Sequence, residues 1–320
     1  MNLLETTANG LYCPAADLYI DPRRRVKRAV ITHGHADHAR RGHQAVLTSR
    51  SGEAIVRQRI GPRTPIQTLA FGEKLKVGEA TLSLHPAGHL LGSAQVRLEV
   101  GGRVAVVTGD YKRGVDPTCE AFEPQPCHLL VTETTFGLPV YRWPDPVQIT
   151  DDIDAWWGRN QEDGVNSVLL GYSLGKAQRL LAMLNPERGP IYVHGAVVPF
   201  LPFYRNAGIS LPFTHTLKPQ AFRSEQGKAL MVISPTAFQP ALRAKLGPLR
   251  SAFASGWTLL SKGRHRGGAE VGFPVSDHVD WPELLQTVED CAPEEIWADH
   301  GYTAEVARYF AERGYQTRAI

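Results

Sequence analysis

Thr32-His33-Gly34-His35-Ala36-Asp37-His38 is the stretch on which the reading of this chain turns. Three imidazoles and a carboxylate fall within six positions, an arrangement suited to metal binding. Arg28-Ala-Val-Ile-Thr32 before it has the composition of a short buried strand, and Asp37-His38-Ala-Arg-Arg41 after it predicts the start of a helix. His33 and His35, two apart at a strand end, can converge on one ion. Asp37 and His38, adjacent at the predicted helix start, can reach a second ion beside it. Imidazole nitrogens with a carboxylate oxygen suit zinc, and less specifically manganese or iron. The alternatives are a solvated His-rich turn or a tag remnant, but a tag sits at a terminus and carries no interleaved aspartate.

Further residues complete the set when read beside this motif. His89 lies in His85-Pro-Ala-Gly-His89-Leu-Leu-Gly-Ser93, between two strand-like runs, where a loop can carry it to the first ion. Asp110 follows the apolar run Val104–Gly109, and a carboxylate at a strand end can bridge two cations roughly 3.5–4 Å apart. Glu133 ends the next such run, His278 sits in Ser276-Asp-His-Val-Asp280, and His300 follows Trp297-Ala-Asp299. Alone, each is an ordinary turn or capping residue. The remaining histidines (His43, His85, His128, His194, His215 and His265) read as structural or surface groups.

The 320 residues, 42% hydrophobic with 23 prolines and 30 glycines, fit a loop-rich α/β protein. Short strands joined by Gly/Pro turns run to about residue 135, with a helix over Ser51–Ile60. Proline density rises at Trp143-Pro-Asp-Pro146. Strand and helix then alternate, with helices over Asp145–Glu162 and Gly175–Leu184, arguing for a parallel α/β unit. This predicts a first unit over 1–145 and 260–320, with 146–259 inserted. Apolar runs stay far below the roughly 20 residues of a membrane helix. The N-terminal residues carry no secretory pattern, and Cys13, Cys119, Cys127 and Cys291 show no Cys-x-x-Cys spacing. The expectation is a cytoplasmic protein with reduced thiols.

The net charge of +3 is unevenly spread. Arg23–Arg63 holds eleven Lys/Arg against Asp37 and Glu53, and Arg223–Arg266, which includes Arg264 and Arg266, holds eight against Glu225. Segregation of this kind suits a polyanion, and Arg264 and Arg266 become candidate nucleic-acid contacts. There is no Walker loop and no Gly-x-Gly-x-x-Gly fingerprint, which argues against nucleotide-driven work.

The motifs Thr32-His-Gly-His-Ala-Asp-His38, Ala87-Gly-His89-Leu-Leu-Gly and Thr108-Gly-Asp110 resemble the metallo-β-lactamase superfamily. Glu133 in Glu-Thr-Thr-Phe-Gly, His278 in Ser-Asp-His and His300 in His-Gly are similar to motifs A, B and C of its β-CASP nuclease branch. Within that branch the chain looks most like the bacterial DNA-ligase-associated exonucleases. The resemblance implies a four-layer αβ/βα metallo-β-lactamase sandwich with an inserted α/β β-CASP domain. It implies that His33, His35 and His89 bind one ion, that Asp37, His38 and His300 bind the second, and that Asp110 bridges. His278 would be the general acid, oriented by Glu133, so that Asp37, Asp110, Glu133 and His278 form the catalytic set. Tyr172-Ser-Leu-Gly-Lys176 is similar to a segment that opens a helix of the inserted domain, where Ser173, Gly175 and Lys176 would meet a phosphate; the alternative is that Ser173 simply caps that helix.

The implied activity is two-metal phosphodiester hydrolysis with zinc or manganese: a DNA exonuclease of repair leaving 5′-phosphates, starting from a 5′ end, with a functional link to a DNA ligase or helicase. Phosphates would track past basic residues into a slot between the domains. Motif C departs from this picture, because His is usual in RNA-cleaving members and Val in Artemis-type DNA members. RNA processing is therefore the second reading. A small-molecule hydrolase of the same superfamily is the third; it needs no Glu133/His278 pair.

Overall fold

The computed structural model describes residues 2–218, 225–260 and 268–320. The chain divides into two compact units, one formed by the residues up to Arg142 with His278–Ile320, the other by Trp143–Asp277. It returns to the first unit later than 260 because a late strand, described below, adds to the sheet of the second.

The first unit holds two sheets. One runs β1 (Glu5–Thr7), β2 (Gly10–Cys13), β3 (Leu18–Ile20), β4 (Arg28–Val30), β5 (Ala45–Ser49) and β6 (Ile66–Leu69) in spatial order, antiparallel through β3 and parallel afterwards. Between β5 and β6 lies α1 (Glu53–Ile60). The other sheet contains β7 (Lys74–Val77), β8 (Ala80–Pro86), β9 (Ala94–Val100), β10 (Arg103–Val107) and β11 (Leu129–Thr134), then the C-terminal β18 (Glu295–Gly301) and β19 (Gln316–Ala319) beyond β11. Its meander β7–β10 is antiparallel, while β10, β11, β18 and β19 are parallel.

Alternation decides what each face meets. Leu82, Leu84, Val96, Leu98, Ala105, Val107 and Val131 share one core with Leu11, Ile20, Val30 and Leu47 of the other sheet. The opposite face of the second sheet, through Val104, Val106, Leu130 and Ile296, packs on α6 (Trp281–Cys291) and α7 (Thr303–Ala311) via Leu284, Val288, Val306 and Phe310. Ala29, Ile31 and Val46 pack on Val56 and Ile60 of α1. Each fully buried Leu or Val contributes about 1.5–3 kcal/mol. Strands therefore end at an edge where polar residues leave the core.

The second unit is a parallel sheet of β14 (His215–Thr216), β13 (Ile191–Val193), β15 (Leu230–Ile233), β12 (Asn166–Leu170), β16 (Leu249–Ala254) and β17 (Val271–Phe273) in spatial order. Pairing of β17 with β16 is what keeps the chain in this unit to Asp277. The helix α2 (Pro146–Glu162) starts with Asp145 accepting from the Val147 amide at 2.8 Å and proline in its first turn. It packs Ile153, Trp156 and Trp157 on the sheet, beside α3 (Lys176–Met183). The short α4 (Leu201–Asn206) and α5 (Pro240–Arg243) complete its helices among the described residues. No helix of the described residues is long and apolar enough to cross a membrane.

Candidate active site

The segment after β4 is a tight turn, and the helix expected from Asp37 does not form. His38 and Ala39 both donate to the His35 carbonyl (3.2 and 2.8 Å), giving one turn only, and Gly42 at φ +100° redirects the chain toward β5. His33 and His38 are buried on this turn and Asp37 is exposed. Gly88, at φ +74°, places His89: a Cβ there would lie 2.2 Å from the Lys112 carbonyl oxygen. Asp110 follows β10, where Gly109, at φ +58°, sits against the Thr32 side chain.

These residues converge. His33 Nε2 lies 3.1 Å from His35 Nδ1, which lies 3.1 Å from His89 Nε2. The Asp110 carboxylate lies 3.6 Å from His33 Nε2, 3.5 Å from His38 Nε2 and 3.8 Å from His89 Nε2. His33, His35, His89 and Asp110 offer ligand atoms within 4.8 Å of one another. The donor chemistry fits a cation. A neutral imidazole carries one N–H, and His33 Nδ1 contacts Thr32 Oγ1 at 3.0 Å, whose own hydrogen goes to Asp21. His33 therefore turns a lone pair toward His35 and Asp110. Burial pushes His33 well below the usual histidine range, with the neighbouring His38 acting the same way, so it stays neutral as a ligand must.

His38 is different. Burial opposes its charge, but the carboxylates of Asp110 and Asp21 outweigh burial and hold it well above the usual histidine range. Burial likewise opposes ionisation of Asp110, and His38, His33 and His278 outweigh it, keeping Asp110 well below the usual carboxylate range. Asp21 is the residue that sequence reasoning missed. Its Oδ2 takes His38 Nδ1 at 2.7 Å and the Thr32 hydroxyl at 2.5 Å, and its Oδ1 takes the Thr32 amide at 2.9 Å. A carboxylate on the rear nitrogen of an imidazole aims the front nitrogen at the metal position.

The second ligand set is looser. Asp37 Oδ2 lies 3.9 Å from His38 Nε2. His300, at φ +53°, stacks its ring on His38 with centroids 5.6 Å apart while its Nδ1 faces Asp299 at 3.2 Å. The Asp299 hydrogen bond raises His300 above its ordinary range. Asp37, His38, Asp110, Glu133 and His300 all line one cavity of about 280 Å³.

Glu133, at the end of β11, is buried and fully engaged. Its Oε1 accepts from the Tyr111 amide at 2.7 Å and its Oε2 from the Thr135 hydroxyl at 2.6 Å. His278 Nδ1 lies 2.8 and 3.0 Å from the two oxygens. A carboxylate only accepts, so Nδ1 carries the hydrogen. The His278 ring packs on His89, centroids 4.8 Å apart. Asp110, Glu133 and His278 also form a group within 4.8 Å.

No protein-family model matches the chain. It is 31% identical over 315 residues to a probable DNA ligase of Opitutus terrae, covering 98% of this chain and 30% of that protein. It is 27% identical to an RNase J-like protein of Methanocaldococcus jannaschii over 42% of this chain and 34% of that one. Against endoribonuclease YSH1 of Candida glabrata it is 28% identical over 38% of this chain and 16% of that one. The chain thus spans about a third or less of these relatives' lengths. These likenesses are consistent with the β-CASP branch of the metallo-β-lactamase superfamily that the motifs resemble. A solved structure of a protein of unknown function from Enterococcus faecalis shares the fold, with TM-score 0.60 at 12% identity over 92% of this chain and 79% of that one.

The expected phosphate contacts are placed as follows. Lys176 is buried, with Nζ donating to the Val275 carbonyl at 2.7 Å and paired with Asp277 at 2.9 Å. The ammonium expected to meet a phosphate is thus enclosed and paired within the second unit. Gly175, at φ +77°, takes the cap position of α3 without a side-chain cap, and the half-buried Ser173 accepts from Gln178 through its carbonyl. Arg264 and Arg266 lie outside the described residues.

Proposed function

We propose that the chain is a metal-dependent phosphodiesterase acting on nucleic acid, with DNA as the preferred substrate and exonucleolytic digestion from a 5′ end, in DNA repair. The observation that carries it is the contact between two constellations: Asp110 belongs both to the histidine cluster and to the group with Glu133 and His278. A small-molecule hydrolase has no use for the second. The helix and sheet layers of the first unit support the four-layer αβ/βα reading, and residues 143–277 the inserted β-CASP domain.

His33, His35 and His89 would hold one divalent cation, Asp37, His38 and His300 the second, with Asp110 shared; zinc suits these donors best and manganese is the alternative. Bound cations would supply an activated water and offset charge on the phosphoryl oxygens. The chain's own residues do the rest. Glu133, fixed by the Tyr111 amide and Thr135, holds the hydrogen on His278 Nδ1. His278 then delivers a proton from Nε2 to the departing 3′ oxygen, leaving a 5′-phosphate on the product. Asp21 keeps Nε2 of His38 turned to Asp110.

The DNA reading draws on the likeness to a ligase-named protein across 98% of this chain, which also suggests a functional link to strand joining. His300 at motif C and the ribonuclease names of two relatives favour RNA processing as the second reading. Incubating the protein with end-labelled DNA and matched RNA, with zinc or manganese, separates them. A 5′-end-dependent loss of DNA in preference to RNA is expected; preference for a thioester over both ends the nuclease reading.

A further inference from the structure

Beside the metal-ligand turn lies a recess of about 570 Å³ lined by Arg23, Arg24, Arg25, Arg40, Arg41 and Arg59. The remaining lining residues are Ala36, Ala39 and Gln58, so no carboxylate faces it from its walls. Six guanidinium groups around one concavity make it attractive to an anion. Their separation in sequence makes the clustering a product of the fold: they come from the strand-to-strand turn before β4, the metal-ligand turn and α1.

Backbone carbonyls fix three of these side chains. Arg40 Nε donates to the Asp37 carbonyl at 3.0 Å, Arg59 Nε to the Gly34 carbonyl at 3.0 Å, and Arg41 Nε to the Arg59 carbonyl at 2.8 Å. Two of those acceptors belong to the His33–His38 turn itself, so guanidinium planes and metal ligands share one scaffold. Arg23 and Arg40 line both this recess and the cavity that holds Asp37, His38, Asp110 and Glu133. Planar guanidinium donors match phosphate oxygens better than ammonium groups do.

We infer that this recess is a phosphate-binding subsite, taking the backbone phosphates of a nucleic-acid strand that flank the phosphate to be cut. It rests on the nuclease reading only in identifying which strand is held. Arginines grip phosphate oxygens and ignore the sugar, so the subsite serves DNA and RNA alike, and discrimination between them lies elsewhere. This places a polyanion-binding function in residues 23–59 of the first unit.

The test measures binding without cleavage. Labelled oligothymidylate and oligouridylate of about twelve nucleotides are titrated by fluorescence anisotropy in EDTA across about 50–200 mM salt. R24Q/R25Q/R41Q is expected to bind both about tenfold or more weakly and to flatten the log–log salt slope by about 2, at roughly 0.7 for each phosphate no longer neutralised. R24K/R25K/R41K keeps most of the slope. K74Q/R308Q, which removes two exposed charges outside the recess, stays within about twofold of wild type. Equal binding by the glutamine variant and wild type overturns the proposal, as does a lysine variant that loses as much slope as the glutamine one. A wild-type protein that binds through the recess yet cuts nothing with any metal leaves the subsite standing and removes the nuclease reading. One that cuts while the glutamine variant binds unchanged does the reverse.

Discussion

Replacing Asp21 by Asn tests how the protein aims His38, because the change is nearly isosteric and replaces none of the proposed ligands. The amide oxygen can still accept from the Thr32 backbone N–H, now 2.9 Å from Oδ1. The new NH2 group must stand where Oδ2 stood, 2.7 Å from His38 Nδ1 and 2.5 Å from Thr32 Oγ1. The hydroxyl can rotate to accept. The imidazole cannot comply without becoming an acceptor at Nδ1, and its one hydrogen then moves to Nε2. Nε2 faces Asp110 at 3.5 Å and Asp37 at 3.9 Å, and a protonated nitrogen cannot coordinate a cation. Restoring the useful tautomer sets amide hydrogens against an N–H. Losses of this kind run to about 10–100-fold in metal affinity, or about 1.4–2.7 kcal/mol. Zinc affinity measured by competition with a chromophoric chelator reads this directly, and D21A should lose at least as much. Wild-type affinity in D21N would show that Asp21 only braces Thr32 and does not orient His38.

Other consequences are open to equally direct checks. His278→Ala should slow cleavage by about 10²–10⁴-fold with metal content nearly unchanged; loss of a metal equivalent by elemental analysis would make His278 a ligand instead. The raised folded pKa of His38 means that, without metal, its contribution to stability is complete below the unfolded value of about 6.5 and is lost as pH rises through the folded value. Metal must displace that proton, so affinity should rise with pH and binding should release protons. Calorimetry in two buffers of different ionisation enthalpy checks this, and identical heats would contradict it. Gly88→Ala puts a Cβ 2.2 Å from a backbone oxygen at φ +74° and should cost about 1–3 kcal/mol, with weaker zinc binding through His89. Unchanged thermal melting with and without zinc would refute that.

Beyond the clustered histidines, three site residues read from sequence share one signature: a polar residue at the end of an apolar strand-length run. Asp110, Glu133 and His300 all stand there, and parallel pairing of β10, β11 and β18 brings those ends side by side. Asp21 has the same signature after Leu18-Tyr-Ile20, but a three-residue strand is too short to stand out, and its partners lie 11 and 17 residues away. The burial of Lys176 was not legible because its partner Asp277 is about a hundred residues distant, and a Ser-Leu-Gly-Lys segment looks the same whether its ammonium faces solvent or is buried. The helix expected at Asp37 failed for a local reason, since the segment closes one turn and then yields to Gly42. Edge strands such as Glu5–Thr7 and Lys74–Val77 are half exposed or more, and so lack the apolar run by which inner strands are seen.

Asp110 is the group that the histidine cluster and the Glu133–His278 pair have in common, so one variant disturbs both at once. Wild-type protein and Asp110→Ala, matched for folding by thermal melting, are compared on end-labelled DNA and RNA with zinc or manganese. Cleavage by wild type and none by the variant is the expected result. A variant that cuts at the wild-type rate would contradict the claim that hydrolysis takes place at this cluster.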